Sequence, residues 1–109
     1  MQTPNPGYYY HYKHDPNGKI NNYAYYIYGV GHHTEADCRP EDQHMLVYRP
    51  LYEEAYVVRN GKMFDLRPLG MFYDPAMRDG KPVQRFAKIT DAAVIEELKK
   101  IRKALYPDE

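Results

Sequence analysis

Residues 8–12 read YYYHY and residues 23–28 read YAYYIY, and these two tyrosine-rich runs decide the fold. Aromatic side chains suit the pleated, half-buried surface of a β-sheet, so both runs are predicted to be strands. Alternation divides the second strand between two faces, with Tyr23, Tyr25 and Ile27 on one and Ala24, Tyr26, Tyr28 and Val30 on the other. Because both faces carry large side chains, this strand is predicted either to be central or to offer tyrosines to a ligand.

Turn signals separate these runs from further short strands. Residues 15–19, DPNGK, supply the proline and glycine of a turn between the two tyrosine runs. A strand is predicted at residues 45–48. Asn60-Gly61 lies between apolar runs at 55–58 and 63–66, and it predicts a hairpin because a type I′ turn needs two positive φ angles.

Two more segments are predicted to bend the chain. Residues 67–72, RPLGMF, cannot form a long strand because a proline donates no backbone hydrogen bond, so we expect a tight turn that places Met71 and Phe72 on the core. Asp79-Gly80 predicts a turn before a strand at residues 83–86. These short, turn-separated strands predict a mainly β protein built as a small antiparallel β-barrel.

The last part of the chain changes to a helical period. After the cap pair Thr90-Asp91, apolar residues recur at spacings of four, three and four: Val94, Leu98, Ile101 and Leu105. This pattern predicts a helix of about four turns whose apolar stripe packs on its own barrel or on a second copy. We favour the chain's own barrel, because the stripe is too short for a stable coiled coil.

Length and composition limit the protein to one small domain. The chain has 109 residues, of which 43% are hydrophobic, enough for one core and too few for two. Fifteen Lys and Arg balance fifteen Asp and Glu, which argues against a strongly basic nucleic-acid clamp. We divide the chain into a flexible leader at 1–6, a barrel domain at 7–87 and a helical extension at 88–109.

The sequence also predicts a cellular compartment. No run approaches the roughly 18 apolar residues of a membrane span, and residues 1–7 lack the basic start and apolar run of a signal peptide. The single cysteine, Cys38, cannot form an internal disulfide. We therefore expect a soluble, cytoplasmic protein without a membrane partner.

Five blocks of sequence are spread along residues 7–86: GYYYHYK at 7–13, GVGHHTE at 29–35, VYRPLY at 47–52, RPLGMF at 67–72, and Gly80 with Arg85-Phe86. In order and spacing they resemble the small bacterial proteins called domain-of-unknown-function family 1653. The resemblance implies an SH3-like small β-barrel, which agrees with the strand pattern, and it implies no activity. The helix after Thr90 lies outside the resemblance.

Residues able to do chemistry give little support to an enzyme or a metal site. The one set that suggests zinc ligands is His33, Asp37, Cys38 and His44, but structural zinc sites usually show paired Cys and His at short repeated spacings. Acidic neighbours of Cys38 favour its thiol over the thiolate. The chain has no serine and none of the common hydrolase or kinase signatures. We assign no catalytic residue, metal ligand or cofactor, and a small histidine-based enzyme or metal-binding protein stays an alternative.

What remains is a tyrosine-rich surface with interleaved histidines and cations. Exposed tyrosines of a small barrel pack against proline-rich segments or stack on unpaired bases, although tyrosines can instead cover the core with only their hydroxyls in water. The leading hypothesis is a non-enzymatic binding module that holds a protein segment or small polar ligand. The expected ligand-contacting residues are Tyr10, His11, Tyr12, His33, Glu35, Tyr48 and Arg67.

Two other roles stay open at this point. Arg67 could instead be structural, pairing with Glu35 or a backbone carbonyl. A single-stranded nucleic acid is the alternative partner, because residues 61–87 hold five Lys and Arg against three Asp. The expected assembly is a monomer or a weak homodimer through the C-terminal helix.

Overall fold

The computed structural model describes residues 2–61 and 63–109, and its centre is an antiparallel sheet built around the two tyrosine-rich runs. The strands are β1 (Gly7–His11), β2 (Ala24–His32), β3 (His44–Pro50), β4 (Asp65–Pro68), β5 (Ala76–Arg78), β6 (Lys81–Val83) and β7 (Phe86–Lys88). The helices are α1 (Tyr56–Arg59), α2 (Gly70–Tyr73) and α3 (Ala92–Leu105), and a 3₁₀ turn spans Pro40–Asp42. In the described ranges, no helix has the length and apolar character needed to cross a membrane.

Five strands pair in the order β4-β3-β2-β1-β7, and β5 and β6 form a separate hairpin. Tyr9 lies opposite Tyr25, and Ile27 lies opposite Tyr48, so β2 is central, which is one of the two predicted alternatives. The end strands β4 and β7 do not pair with each other within residues 2–61 and 63–109, and the sheet is therefore open. The predicted closed barrel is not found, since β4 and β7 offer only four and three residues for a closing ladder. The SH3-like assignment stays a prediction.

Alternation along β1 and β2 sends side chains into two cores, one on each face of the sheet. The first core consists of Tyr9, Ile27, Leu46, Tyr48, Leu69, Phe72 and Phe86. The second core consists of Tyr8, Ala24, Leu51, Ile89, Leu98 and Tyr106. Both faces of the sheet are thus covered at least in part, which explains why β2 carries large side chains on both of them.

Helix α3 covers the second core, and the chain's own sheet covers the helix's apolar stripe as predicted. Asp91 caps the helix, because its side chain accepts hydrogen bonds from the backbone N–H groups of Ala93 at 2.9 Å and Val94 at 3.3 Å. Leu98 is fully buried against the sheet. The weak homodimer through this helix stays a prediction.

The hairpin predicted around Asn60-Gly61 is wrong. Residues 56–59 form the one-turn helix α1, and β4 pairs with β3 instead of with this segment. Valines favour strands locally, but here Val57 is buried and Val58 packs against the second core. Burial of these side chains therefore outweighs local strand preference, which is weak and depends on context.

Two predicted side-chain directions also need correction. The pairing of β2 with β3 shifts register between Ile27 and Gly29, and this bulge turns Val30 to the first core instead of the face of Tyr26. Of the two residues expected on the core after Pro68, Phe72 is buried but Met71 is 39% exposed. A one-turn helix, α2, explains this difference because consecutive residues of a helix point in different directions.

The turn at Asp79-Gly80 is confirmed, and both residues have positive φ angles, 53° and 76°. It joins β5 to β6, and the strand expected at 83–86 is divided between β6 and β7. Met1, the first residue of the predicted leader, lies outside the described residues. In the rest of that leader Pro4 is buried, and the Asn5 carbonyl accepts a hydrogen bond from the Tyr9 hydroxyl at 2.7 Å. The proposed domain boundaries stay a prediction.

The packing of α3 predicts that Leu98→Ala lowers the free energy of unfolding by about 2–5 kcal/mol, because it leaves a cavity between helix and sheet. Lys100→Ala, at an exposed position of the same helix, is the matched control and should change stability by less than about 0.5 kcal/mol. Urea unfolding followed by circular dichroism measures both. Equal stabilities of the two variants would contradict the packing described here.

Candidate functional site

Four neighbouring strands bring polar and aromatic side chains to the face of the first core. On this face Tyr48 lies opposite Asp65, Leu46 lies opposite Arg67, and His11 lies opposite Phe86. We call this surface the aromatic platform, and it consists of His11, Tyr23, Tyr25, Tyr48, Tyr52, Asp65 and Arg67. Sheet register therefore assembles the platform from residues that are distant in sequence.

Helix α2 covers only part of the same face. Phe72 stacks on Phe86 with ring centroids 5.5 Å apart, and it meets Tyr9 edge-on at 5.8 Å. The platform begins on the other side of Phe86, whose ring is 5.2 Å from His11 and 5.8 Å from Tyr25. An apolar core thus supports one edge of the platform and fixes the positions of its rings.

The tyrosines of the platform form a hydrogen-bonded group. The hydroxyl oxygens of Tyr25 and Tyr52 are 2.7 Å apart, and the ring of Tyr25 meets those of Tyr48 and Tyr52 at 5.5 and 5.7 Å. Burial is the main reason that the pKa of each of these three phenols is raised. All three therefore stay protonated, and because the Tyr25–Tyr52 contact uses one proton, a second O–H remains to donate to a ligand.

His11 is a neutral hydrogen-bond donor at pH 7. Its Nδ1 accepts the backbone N–H of Lys13 at 3.3 Å, which leaves the proton of the neutral ring on Nε2. Burial, together with the positive charges of Arg67, Lys13 and Arg85, lowers the pKa of His11 to about 4. The site therefore resists a further positive charge.

The positive charge of Arg67 affects most of the titratable side chains of the platform. Its guanidinium acts to lower the pKa values of His11, Asp65 and the three phenols, although burial still raises the pKa of Asp65 overall. In the part of the chain that the structure describes, no Asp or Glu oxygen lies within 4.0 Å of this guanidinium. Arg67 is thus a half-buried cation without an ion pair there.

The structure brings together three of the seven residues predicted from the sequence: His11, Tyr48 and Arg67. Tyr48 is only 5% exposed, so it supports the platform from the first core and is not open to a ligand as predicted. Tyr12 borders the platform, with the guanidinium carbons of Arg78 and Arg85 at 5.7 and 6.0 Å from its ring centroid. Tyr10 lies on the opposite face of β1, where its hydroxyl donates to the Ile20 carbonyl at 2.6 Å.

His33 and Glu35 lie apart from the platform, in the loop between β2 and β3. They line a cavity of about 460 Å³ together with Cys38 and Gln43, and the backbone N–H of Glu35 donates to His33 Nδ1 at 3.1 Å. The ion pair between Glu35 and Arg67 considered from the sequence does not form among the described residues. Over residues 2–61 and 63–109, no three His, Cys, Asp or Glu side chains gather in a way that could hold a metal ion.

A larger cavity, of about 660 Å³, lies between the 3₁₀ turn and α2, and it is lined by Pro40, Leu69, Met71 and Tyr73 among others. None of the seven predicted site residues lines it. The charged side chains at the edge of this cavity are partly paired, because Arg39 Nε lies 2.9 Å from Asp42 Oδ2. We therefore place the candidate site on the platform, where the polar groups converge.

Sequence reasoning missed Tyr23, Tyr25, Tyr52 and Asp65 as site residues. Tyr25 was detectable, because alternation placed it on the same face as Tyr23. Asp65 was not, because its place depends on the pairing of β3 with β4, and the hairpin signal at Asn60-Gly61 pointed to a different pairing. Tyr52 was not either, because its contact with Tyr25 depends on the pairing of β2 with β3.

A protein-family model described as "Protein of unknown function (DUF1653)" matches residues 7–88. This match runs from β1 to β7 and includes the whole platform. No curated protein and no solved structure matches the chain.

The environment of His11 predicts its titration. The pKa of a histidine is ordinarily about 6.5, and that of folded His11 is about 4. Between these two pH values the unfolded chain binds a proton at His11 and the folded chain does not. The free energy of unfolding should therefore fall as the pH drops through this window. The variant His11→Asn should reduce that fall, and His32→Asn, at an exposed position, is the control. The NMR signals of the His11 ring should titrate near pH 4, and a midpoint near 6.5 would contradict the burial described.

Proposed function

The chain belongs to the DUF1653 family, and we propose that it is a non-enzymatic binding module whose aromatic platform holds a carboxylate-bearing protein segment. The observation that carries this proposal is Arg67, a half-buried cation at the centre of the platform with no carboxylate partner among the described residues. Holding such a charge away from water costs free energy unless an anion balances it. A ligand carboxylate would supply that balance.

The groups around Arg67 match the chemistry of a carboxylate. A carboxylate only accepts hydrogen bonds, and the platform offers donors: the guanidinium of Arg67, Nε2–H of His11 and the free hydroxyl of the Tyr25–Tyr52 pair. Hydrogen bonds between charged groups are shorter and stronger than neutral ones, and Arg is suited to bind both carboxylate oxygens. Neutral His11 can donate without adding charge.

The rings around these donors favour a protein segment over a small ion. Tyr23, which is 42% exposed, lies 5.8 Å from the ring of His11 and 6.3 Å from that of Tyr52. These rings extend the surface beyond the area one carboxylate would cover, and aromatic side chains contribute strongly to protein interfaces. A location in the bacterial cytoplasm is part of this proposal, and it rests on the single cysteine and the family resemblance.

A peptide titration tests the proposal. An octapeptide that alternates glycine and glutamate should shift the NMR signals of the platform, and the matched glycine–glutamine peptide should not. Arg67→Gln should weaken binding about tenfold or more, because a charge-assisted hydrogen bond contributes about 1.5–3 kcal/mol. Arg59→Gln, at an exposed position of α1, is the control and should leave the affinity unchanged.

Two results would argue against this function. Equal binding of the two peptides would show that no carboxylate is recognised. A loss of thermal stability in Arg67→Gln with unchanged peptide affinity would show that Arg67 has a structural role only.

A second candidate function, binding of single-stranded nucleic acid, is favoured by the position of Tyr12 between Arg78 and Arg85. An aromatic ring flanked by cations can stack on a base while the cations contact phosphates. Lys62, which contributes to the local excess of positive charge, lies outside the described residues. Binding of an oligothymidylate that weakens steeply with salt would support this candidate, and absent or salt-insensitive binding would remove it.

A further inference from the structure

On the opposite face of the sheet, two arginines converge on one carboxylate. Glu109 Oε2 is 3.0 Å from Arg49 Nη1, and Oε1 is 2.8 Å from Arg102 Nη2. The hydroxyl of Tyr28 also donates to Oε1. We call Arg49, Arg102 and Tyr28 the arginine clamp, and it lies apart from the aromatic platform.

Aromatic rings hold both guanidinium groups of the clamp in place. The guanidinium carbon of Arg49, a residue that is only 6% exposed, is 3.8 Å from the ring centroid of Phe64 and 4.4 Å from that of Tyr106. The guanidinium carbon of Arg102 lies 3.5 Å above the ring of Tyr26. Because stacking on rings fixes these cations independently of Glu109, the clamp would keep its shape if this carboxylate moved away.

Two guanidinium groups of the arginine clamp bind the single carboxylate of Glu109, and Arg102 has one donor that Glu109 does not use. A cavity of about 300 Å³ beside it is lined by Tyr8, Lys99, Arg102, Lys103, Tyr106 and Glu109. Lys99 Nζ lies 3.4 Å from Glu96 Oε1 at the surface, so Lys99 already has a carboxylate partner. The Nε–H of Arg102 is buried and has no acceptor among the described residues, although an unsatisfied buried donor is costly.

From this geometry we infer that the arginine clamp is a binding site for a phosphate group, from a free phosphate ion or a phosphomonoester, whose place the Glu109 side chain takes in this structure. A phosphate carries about two negative charges near neutral pH and at least three acceptor oxygens. It therefore balances two guanidinium groups better than one carboxylate does, and it offers an additional acceptor for Arg102.

Glu109 can leave the clamp at small structural cost. Its backbone N–H donates to the Tyr106 carbonyl at 3.2 Å, whereas Tyr106 itself is buried and its hydroxyl donates to the Pro50 carbonyl at 2.7 Å. The chain is thus anchored at Tyr106, and the exchange needs only a rotation of the Glu109 side chain. This inference does not depend on the proposed function of the platform.

A competition experiment tests the inference. Inorganic phosphate and O-phosphoserine are titrated separately at constant ionic strength into ¹⁵N-labelled protein, and the Nε–H signals of Arg49 and Arg102 are followed. Glu109→Gln should tighten binding about tenfold, because it weakens the intramolecular competitor. Glu97→Gln, which removes an exposed carboxylate on α3 away from the clamp, is the control for charge alone.

A second pair of variants keeps the test independent of Glu109. Lys103→Gln, at the cavity, should weaken phosphate binding severalfold, whereas Lys100→Gln, outside the cavity lining, should not. Saturable shifts with both compounds would support a phosphomonoester site, and shifts with inorganic phosphate alone would support a site for the free ion. No saturable shift with either compound in Glu109→Gln, or equal effects of the two lysine variants, would overturn the inference.

Discussion

The antiparallel pairing of β2 with β1 and β3 is the constraint on which the rest of the structure depends. It fixes Tyr9 opposite Tyr25 and Ile27 opposite Tyr48, and a shift by one residue would exchange the two faces of the sheet. One face then carries the aromatic platform and the other carries the arginine clamp. The abundance of tyrosine is explained by this arrangement, because a phenol can pack its ring in a core and still present a polar hydroxyl.

The two sites use arginine in different environments. Arg67 has no carboxylate partner in the described part of the chain, and its charge lowers the pKa of its neighbours. In the clamp, hydrogen bonds from Tyr28, Arg102 and Arg49 lower the pKa of Glu109 although burial acts to raise it. Arg67 thus has no carboxylate partner among the described residues, whereas Arg49 and Arg102 both bind Glu109.

Local pattern predicted the parts of the fold that depend on neighbouring residues. The tyrosine strands, the turn at Asp79-Gly80 and the helix capped by Asp91 all follow from short-range chemistry. The pairing of β3 with β4 did not, because it is a contact between distant segments and the stronger local signal at Asn60-Gly61 favoured a hairpin. Local patterns also could not predict whether the sheet closes into a barrel, since closure depends on how the end strands meet.

The same distinction applies to the candidate site. His11, Tyr48 and Arg67 were predicted from residue type and family resemblance, but their proximity required the register of β1, β2, β3 and β4. A crystal structure of the protein bound to the glycine–glutamate peptide tests the central claim most directly. The account predicts a glutamate carboxylate within hydrogen-bond distance of the Arg67 guanidinium and His11 Nε2. A peptide bound elsewhere, with Arg67 paired to Asp65, would contradict it.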